Sequence, residues 1–466
     1  MSERTGSRVS RRTLIGGAVA TGAAATGVAA AATMEQEQPF ETAQRPVPER
    51  RPNFLIVLGD DLGWGDLSSY GAPTIRTPHL DRLAASGVRF TNGYSASSVC
   101  SPTRFGLYTG RYPGRLHGGL GEPLAEKNDV DGIPTDHPTL ASLLKGVGYE
   151  TAMLGKWHCG FLPSFSPTRV GWDEFFGNFG GAVDYFSKID TSGIHDLYEG
   201  EVEAEDLRYY THALTERAVE YIARPREHPW LLNLNFTTPH WPWEGPQDRA
   251  VSEDLTRRVV NGDGLLAHFD GGSLGVYRSM VEDLDRSVGR VLAALDHGGQ
   301  IHDTVVLFAS DNGGERFSYV WPFTGGKYTL NEGGIRVPTI LSWPGTLPRG
   351  RVSHEPVITM DWTATIVELA GARPDEEHPF DGTSLVPYLL RGQALPERPL
   401  FWRMHDWRAL RAGTLKYLQT DDGSDHLYDL SADQHEQADL VDLRPDDLDR
   451  LRAAWEKIAG DQLPYD

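Results

Sequence analysis

Six short polar stretches carry residue types that could do chemistry together. Two offer hard oxygen ligands: Gly59-Asp60-Asp61-Leu62-Gly63 and Ser310-Asp311-Asn312-Gly313-Gly314. Paired carboxylates with an amide oxygen suit a divalent cation of the Ca²⁺ or Mg²⁺ type rather than zinc, and such a site needs no histidine ligand. Three others supply cations and proton-transfer groups: Lys156 and His158 in Gly155-Lys156-Trp157-His158-Cys159-Gly160, His240 in Thr237-Thr238-Pro239-His240-Trp241, and Lys327 in Gly325-Gly326-Lys327-Tyr328. The sixth is Cys100-Ser101-Pro102-Thr103-Arg104. Ser101 is a candidate cap, Pro102 suits a first helical turn, and Gly110 is a stop signal, so Cys100 is expected just ahead of a helix N-terminus. Partial positive charge collects there, and Arg104 lies one turn along on the same face. A small nucleophile, a cation and a helix start make a site for an anionic tetrahedral group. Taken singly, an Asp-Asp turn is more often solvated, and Lys156 or His240 more often sits at the surface. Their joint spacing points to a metal-assisted hydrolase.

Four of the six stretches directly follow apolar runs that read as buried strands: 53–58, 149–154, 230–236 and 304–309. Helical patterns lie between and beyond them, at 77–86, 136–145, 206–223, 274–295 and 360–370. This alternation predicts an α/β fold, a large mostly parallel central sheet flanked by helices. Ligands in such sheets bind at the carboxyl ends of the strands, where these stretches fall. Near Arg391 the pattern changes to short strands at 399–402, 407–411, 414–419 and 425–430 and a charged helix at 445–459, which predicts a smaller C-terminal antiparallel sheet plus helix.

The stretch from Cys100 to Arg111 resembles the signature of the formylglycine-dependent sulfatases, which are arylsulfatase-like members of the alkaline phosphatase superfamily. Cys100, Pro102, Arg104, Thr109, Gly110 and Arg111 match it, and the other five stretches match in type and order. The resemblance implies that Cys100 is converted to formylglycine by a formylglycine-generating enzyme. It implies that Asp60, Asp61, Asp311, Asn312 and modified Cys100 bind Ca²⁺, with Mg²⁺ as the other candidate. Arg104, Lys156, His158, His240 and Lys327 would line the sulfate site, with Lys156, His240 and Lys327 touching substrate. The implied reaction is hydrolysis of an aryl or carbohydrate sulfate. The alternative is a phosphate or phosphonate ester hydrolase of the same superfamily. The chain departs from the pattern at Cys159, where an apolar residue is usual, and at Gly180–Tyr185, which lacks the Ser that some arylsulfatases place there.

The first 33 residues read as an export signal. Arg11 and Arg12 precede a soft Ala/Gly-rich run, as in twin-arginine signals, with cleavage expected among Ala29 to Ala32. The expected division is signal 1–33, linker 34–51, catalytic α/β sulfatase domain 52–390 and C-terminal α+β subdomain 391–466. The expected partners are then the export machinery and a sulfated small molecule or carbohydrate, and the expected location is periplasmic or extracellular. The two cysteines, Cys100 and Cys159, make no disulfide framework, which fits a protein exported already folded. The net charge is −21 and becomes more negative without the signal, which excludes nucleic acid as a partner and requires a local basic pocket for an anionic substrate.

Overall fold

The polar stretches are set by the length and order of the strands that precede them. In chain order these are β1 (Asn53–Gly59), β2 (Val88–Phe90), β3 (Gly93–Tyr94), β4 (Glu150–Gly155), β5 (Glu174–Gly177), β6 (Tyr198–Glu199), β7 (Val202–Glu203) and β8 (Trp230–Asn235). They continue with β9 (Thr304–Ser310), β10 (Thr339–Ser342), β11 (Arg351–Ser353) and β12 (Val357–Ile358). The computed structural model describes residues 51–125 and 127–465, all within the contact unit 38–466. The expected export signal, and all of the expected linker but Arg51, lie outside the described residues. Among the described residues, no helix is long and apolar enough to cross a membrane.

Ten strands form one sheet in the order β11-β2-β10-β9-β1-β8-β4-β5-β6-β7. Its centre is parallel: β1 pairs with β8 and β9, and β4 pairs with β8 and β5. Antiparallel pairs flank it, at β9–β10 and β10–β2 on one side, where β11 then adds in parallel to β2, and at β5–β6 and β6–β7 on the other. The central strands are buried throughout, which is why they read as unbroken apolar runs rather than alternating ones.

Helices α1 (Pro78–Ser86), α2 (Cys100–Thr109), α3 (Leu140–Lys145), α4 (Tyr210–Ala223), α5 (Arg249–Val260), α6 (Leu274–His297), α7 (Glu332–Ile335), α8 (Thr359–Leu369), α9 (Val386–Arg391) and α10 (Pro445–Ala459) follow in chain order. One face of the sheet packs Phe54, Ile56 and Leu58 against residues of α2, α3 and α8, including Phe105, Leu144 and Trp362. The other face packs Leu55 and Val57 with α1, α4 and α6, including Leu80, Leu214 and Leu284. A third cluster lies under β13 (Leu400–Met404), β14 (Trp407–Ala412), β15 (Leu415–Gln419) and β16 (Asp425–Asp429), an antiparallel meander covered by α10. Tyr94, Val99 and Met360 belong to this cluster, so the meander packs close to the start of α2.

The expected α/β architecture and its C-terminal sheet are what the chain forms. Three local readings need correction. The helix expected from Asp136 starts at Leu140, because Thr139 and Ser142 cap each other reciprocally and Pro138 falls outside. The helix expected from Asp206 starts at Tyr210, since the Asp206 carboxylate is drawn into a turn by the Arg208 N–H. Cys100 is the first residue of α2 rather than a residue ahead of it, and Val99 is its N-cap. The Ser101 hydroxyl does not cap; it donates to Gly121 O at 3.1 Å and accepts from Leu124 N at 2.7 Å. Gly110 ends α2 in the left-handed region at φ 69°, as expected.

Candidate active site

The carboxyl ends of β1, β4, β8 and β9 lie side by side and carry the site. Backbone bonds stitch the turns together: Asp60 N donates to Thr238 O at 3.1 Å, Lys156 N to Asn235 O at 3.1 Å, and Asp311 N to Gly59 O at 3.2 Å. Asp61 and His158 hold left-handed φ values of 61° and 54°, strain that the neighbouring turns impose. Helix α2 brings Cys100 and Arg104 beneath this edge.

All ten residues singled out from the sequence are buried here. Three carboxylates face three cations. Lys156 Nζ bonds Asp60 Oδ2 at 2.7 Å, Lys327 Nζ bonds Asp61 Oδ2 at 2.8 Å, and Arg104 Nη2 bonds Asp311 Oδ2 at 2.7 Å. Asp311 Oδ1 accepts from Asp61 N at 3.2 Å, and Asn312 Nδ2 donates to Asp61 Oδ1 at 2.7 Å. Burial, reinforced by Asp311, holds the Asp60 carboxyl well above the usual range against Lys156 and Arg104. Burial also raises Asp61, but Lys327 and His240 outweigh it and hold Asp61 below the usual range. At Asp311, Arg104 and Lys156 likewise overcome burial.

These residues fit a divalent cation. Asp60 Oδ1 and Asn312 Oδ1 are buried oxygens with no donor, a costly arrangement unless a cation meets them. Ligand atoms of Asp60, Asp61, Cys100 and His240 all lie within 4.8 Å of one another. Two of these four donors are hard carboxylate oxygens, and with Asn312 Oδ1 oxygen is the commonest donor, the type that alkaline-earth cations take. The sequence left histidine out of this set, yet His240 stands in the cluster. Its Nδ1 lies 2.7 Å from Trp241 O, an acceptor, so Nδ1 carries a proton and Nε2 faces Asp61 Oδ2 at 3.5 Å.

His158 has the opposite tautomer. Its Nε2 lies 2.8 Å from Leu124 O and donates to it, which leaves Nδ1 as a buried lone pair without a partner. Burial and Lys156 press its pKa well below the usual histidine value, so the ring is neutral. Gly181 is required beside it: a Cβ there would come within 2.7 Å of the ring. Cys159 is buried in the apolar core, where burial raises its thiol.

A cavity of about 360 Å³ opens over Cys100, His158, His240 and Lys327. Trp241 and Tyr328 line its wall, whereas Trp243 is buried against Phe317. Lys127 and Asp190 also line it, and nothing in the sequence pattern marked them.

The sequence model of the family described as Sulfatase matches residues 52–372. The chain is 34% identical to the N-acetylgalactosamine-6-sulfatase of Homo sapiens over 390 residues, covering 78% of this chain and 70% of that one. It is 35% identical to the steryl-sulfatase of Mus musculus over 428 residues, covering 75% and 66%. Among solved structures, Ps i-CgsB in complex with k-i-k-neocarrahexaose aligns with TM-score 0.79 and 29% identity, over 89% of this chain and 94% of that one. The phosphonate monoester hydrolase of Agrobacterium radiobacter aligns with TM-score 0.61 at 21% identity, over 88% and 95%, a likeness of fold alone. The buried cation-and-carboxylate site at these strand ends belongs to an ester hydrolase of the sulfatase family. The chain is a member of that family, its reaction is the hydrolysis of a sulfate ester to an alcohol and inorganic sulfate, and the phosphoester alternative is not favoured.

Proposed function

We propose that the enzyme removes sulfate from a carbohydrate, using Ca²⁺ and a formylglycine made from Cys100. The observation that carries this reading is the two buried oxygens without donors, Asp60 Oδ1 and Asn312 Oδ1, in the strand-end cluster that meets Cys100, itself at the floor of a cavity larger than a sulfate. Relatives named for a sulfated amino sugar and a neighbour solved with a carrageenan-type hexaose support the substrate class.

Asp60, Asp61, Asp311, Asn312 and residue 100 would hold the metal. When bound, the metal supplies a Lewis acid for the sulfuryl oxygens, and the hydrated aldehyde at residue 100 supplies an oxygen nucleophile with a second hydroxyl for release. Arg104, Lys156 and Lys327 take up the negative charge of the sulfuryl oxygens, the dominant contribution in transfers of this kind. His240 in its doubly protonated form, at Nε2, or Lys327 at Nζ, gives a proton to the leaving oxygen. His158 accepts a proton at Nδ1, the one ring position its bond to Leu124 leaves open. Burial of the whole floor keeps bulk water from screening these charges.

The test is a panel of sulfated sugars, aryl sulfates and 4-nitrophenyl phosphate offered to purified, fully modified enzyme. Fastest turnover of a sulfated sugar supports the reading; turnover of aryl sulfates alone contradicts the carbohydrate assignment.

The same proposal has the protein exported folded by a twin-arginine signal over 1–33, with 34–51 a linker, 52–390 the catalytic domain and 391–466 the C-terminal subdomain. Adjacent Arg11 and Arg12 support export, and two cysteines that form no disulfide fit a protein exported already folded. Changing both arginines to lysine should hold active enzyme in the cytoplasm, and unimpaired export would contradict the signal.

A further inference from the structure

The cavity over Cys100 is larger than the group it must hold at its floor. Its volume of about 360 Å³ leaves room beyond a sulfuryl group for part of the leaving alcohol. The floor end is lined by Cys100, His158, His240 and Lys327, all buried. The other end is built differently. Lys127 stands there with its side chain 51% exposed, beside Asp190 at 8%. Apart from Lys327 on the floor, Lys127 is the one lysine or arginine among the described residues that lines the cavity.

Asp190 is fixed by its own turn. Its Oδ1 accepts from Ser192 N at 2.8 Å and Ile194 N at 3.1 Å, so part of its charge is taken up by the backbone. Its Oδ2 accepts from Lys127 Nζ at 3.0 Å. That bond anchors the ammonium at the cavity mouth and uses one of its three N–H groups. Nζ also lies over the Phe161 ring, 5.7 Å from its centroid, a cation–π contact. Among the described residues Nζ has no second hydrogen-bond acceptor, and it stands at an open, half-solvated end of the substrate cavity.

A chain with net charge −21 repels anions at long range, so a cation held at the mouth has a use there that it would lack elsewhere on the surface. From this placement we propose that Lys127 is a specificity residue. It binds a second anionic group, a carboxylate or another sulfate, carried by the leaving sugar or its neighbour. The enzyme then prefers esters with at least two negative charges over singly charged ones. Charge-assisted N–H bonds at a partly desolvated site have the strength to set such a preference. Asp190 positions Lys127 and does not touch the substrate's anion. The inference deepens the carbohydrate reading above and rests on it.

The experiment measures kcat/KM for three esters with wild type and with Lys127→Gln. The esters are a monosulfated hexose, the corresponding disulfated hexose, and the monosulfated hexose linked to a uronic acid. The readout is the ratio of each doubly charged ester to the singly charged one, which a general loss of fold or of catalysis does not move. The ratio for the second sulfate, for the uronate or for both should fall about tenfold in Lys127→Gln, and the fall should shrink as salt is raised. The arm that falls identifies the anion. Both ratios staying within about twofold of wild type would overturn the proposal. If the wild type turns over 4-nitrophenyl sulfate but none of the sugars, the carbohydrate reading fails and this inference falls with it.

Discussion

At the ends of β1 and β9, Asp60, Asp61 and Asp311 meet Arg104, Lys156 and Lys327; beneath the C-terminal sheet, Glu332 and Glu436 meet Lys416 and Arg336. Both groups are buried charge held by ion pairs. Under the C-terminal sheet every polar atom of the three central side chains is used. Lys416 Nζ has three acceptors, Leu330 O at 2.8 Å, Glu332 Oε1 at 3.0 Å and Glu436 Oε1 at 2.8 Å. Glu332 Oε2 accepts from Tyr94 OH at 2.6 Å, and Glu436 Oε2 accepts from Glu332 N at 2.7 Å. At the strand ends Asp60 Oδ1 and Asn312 Oδ1 have no donor. Burial and ion pairing are common to both regions, so neither marks the working site. Between these two clusters the unused oxygens do, because at the strand ends they fall where Asp60, Asp61, Cys100 and His240 bring ligand atoms together.

The comparison can be broken first at Asp60. Asp60→Asn should lower kcat/KM by about 10³-fold or more, the scale of losing a Lewis acid, while the melting temperature stays near that of wild type. Removing metal with a chelator should have the same effect on wild-type activity, and Ca²⁺ or Mg²⁺ should reverse it. Recovery with Zn²⁺ alone would contradict the oxygen site. A large fall in melting temperature for Asp60→Asn would show that the strand-end cluster is structural after all.

Lys416→Met should do the reverse. It leaves Glu332 and Glu436 buried without their shared cation, which costs about 3 kcal/mol or more of stability. Burial raises Glu332, but Lys416, Arg336 and Arg411 outweigh it and hold its carboxyl down to about 2. A folded pKa below the unfolded one gives stability that is present above the unfolded value of about 4.5 and is lost as pH falls toward 2. The gap between wild type and Lys416→Met in thermal unfolding should therefore be widest near pH 7 and should narrow below about pH 4.5. A gap that does not change with pH would mean that Lys416 acts through packing alone.

Much of this was legible in the chain. Each central strand announced itself as a mostly apolar run that gives way to a polar stretch, and because the strands are parallel their polar ends fall on one edge. What could not be read depends on contacts between distant segments. Ser101 has the right type and place for a cap, yet the segment from Gly121 to Leu124 captures its hydroxyl. The tautomer of His158 is set by Leu124 O, a backbone atom that no motif records. His240 enters the metal cluster only because the β8 turn folds over Asp61. The rim pair Lys127 and Asp190 joins two loops with no pattern of their own. Helix α5 and the short flanking strands β2, β5, β6, β7, β10 and β11 also passed unread. The strands among them are too brief for a period to show.

Cys100 carries the central claim. A thiol has one proton and one attacking atom, whereas a hydrated aldehyde has one oxygen to attack and a second to drive release. The direct measurement is the mass of the peptide spanning Cys100 in enzyme that turns over sulfate esters. Conversion of the thiol to the aldehyde lowers that mass by about 18 Da, opposite in sign to the gain from thiol oxidation products. Active enzyme should carry the lighter peptide, with activity proportional to its fraction across preparations. Full activity in a preparation that holds only the unmodified cysteine would contradict the account and leave a metal-bound hydroxide as the nucleophile.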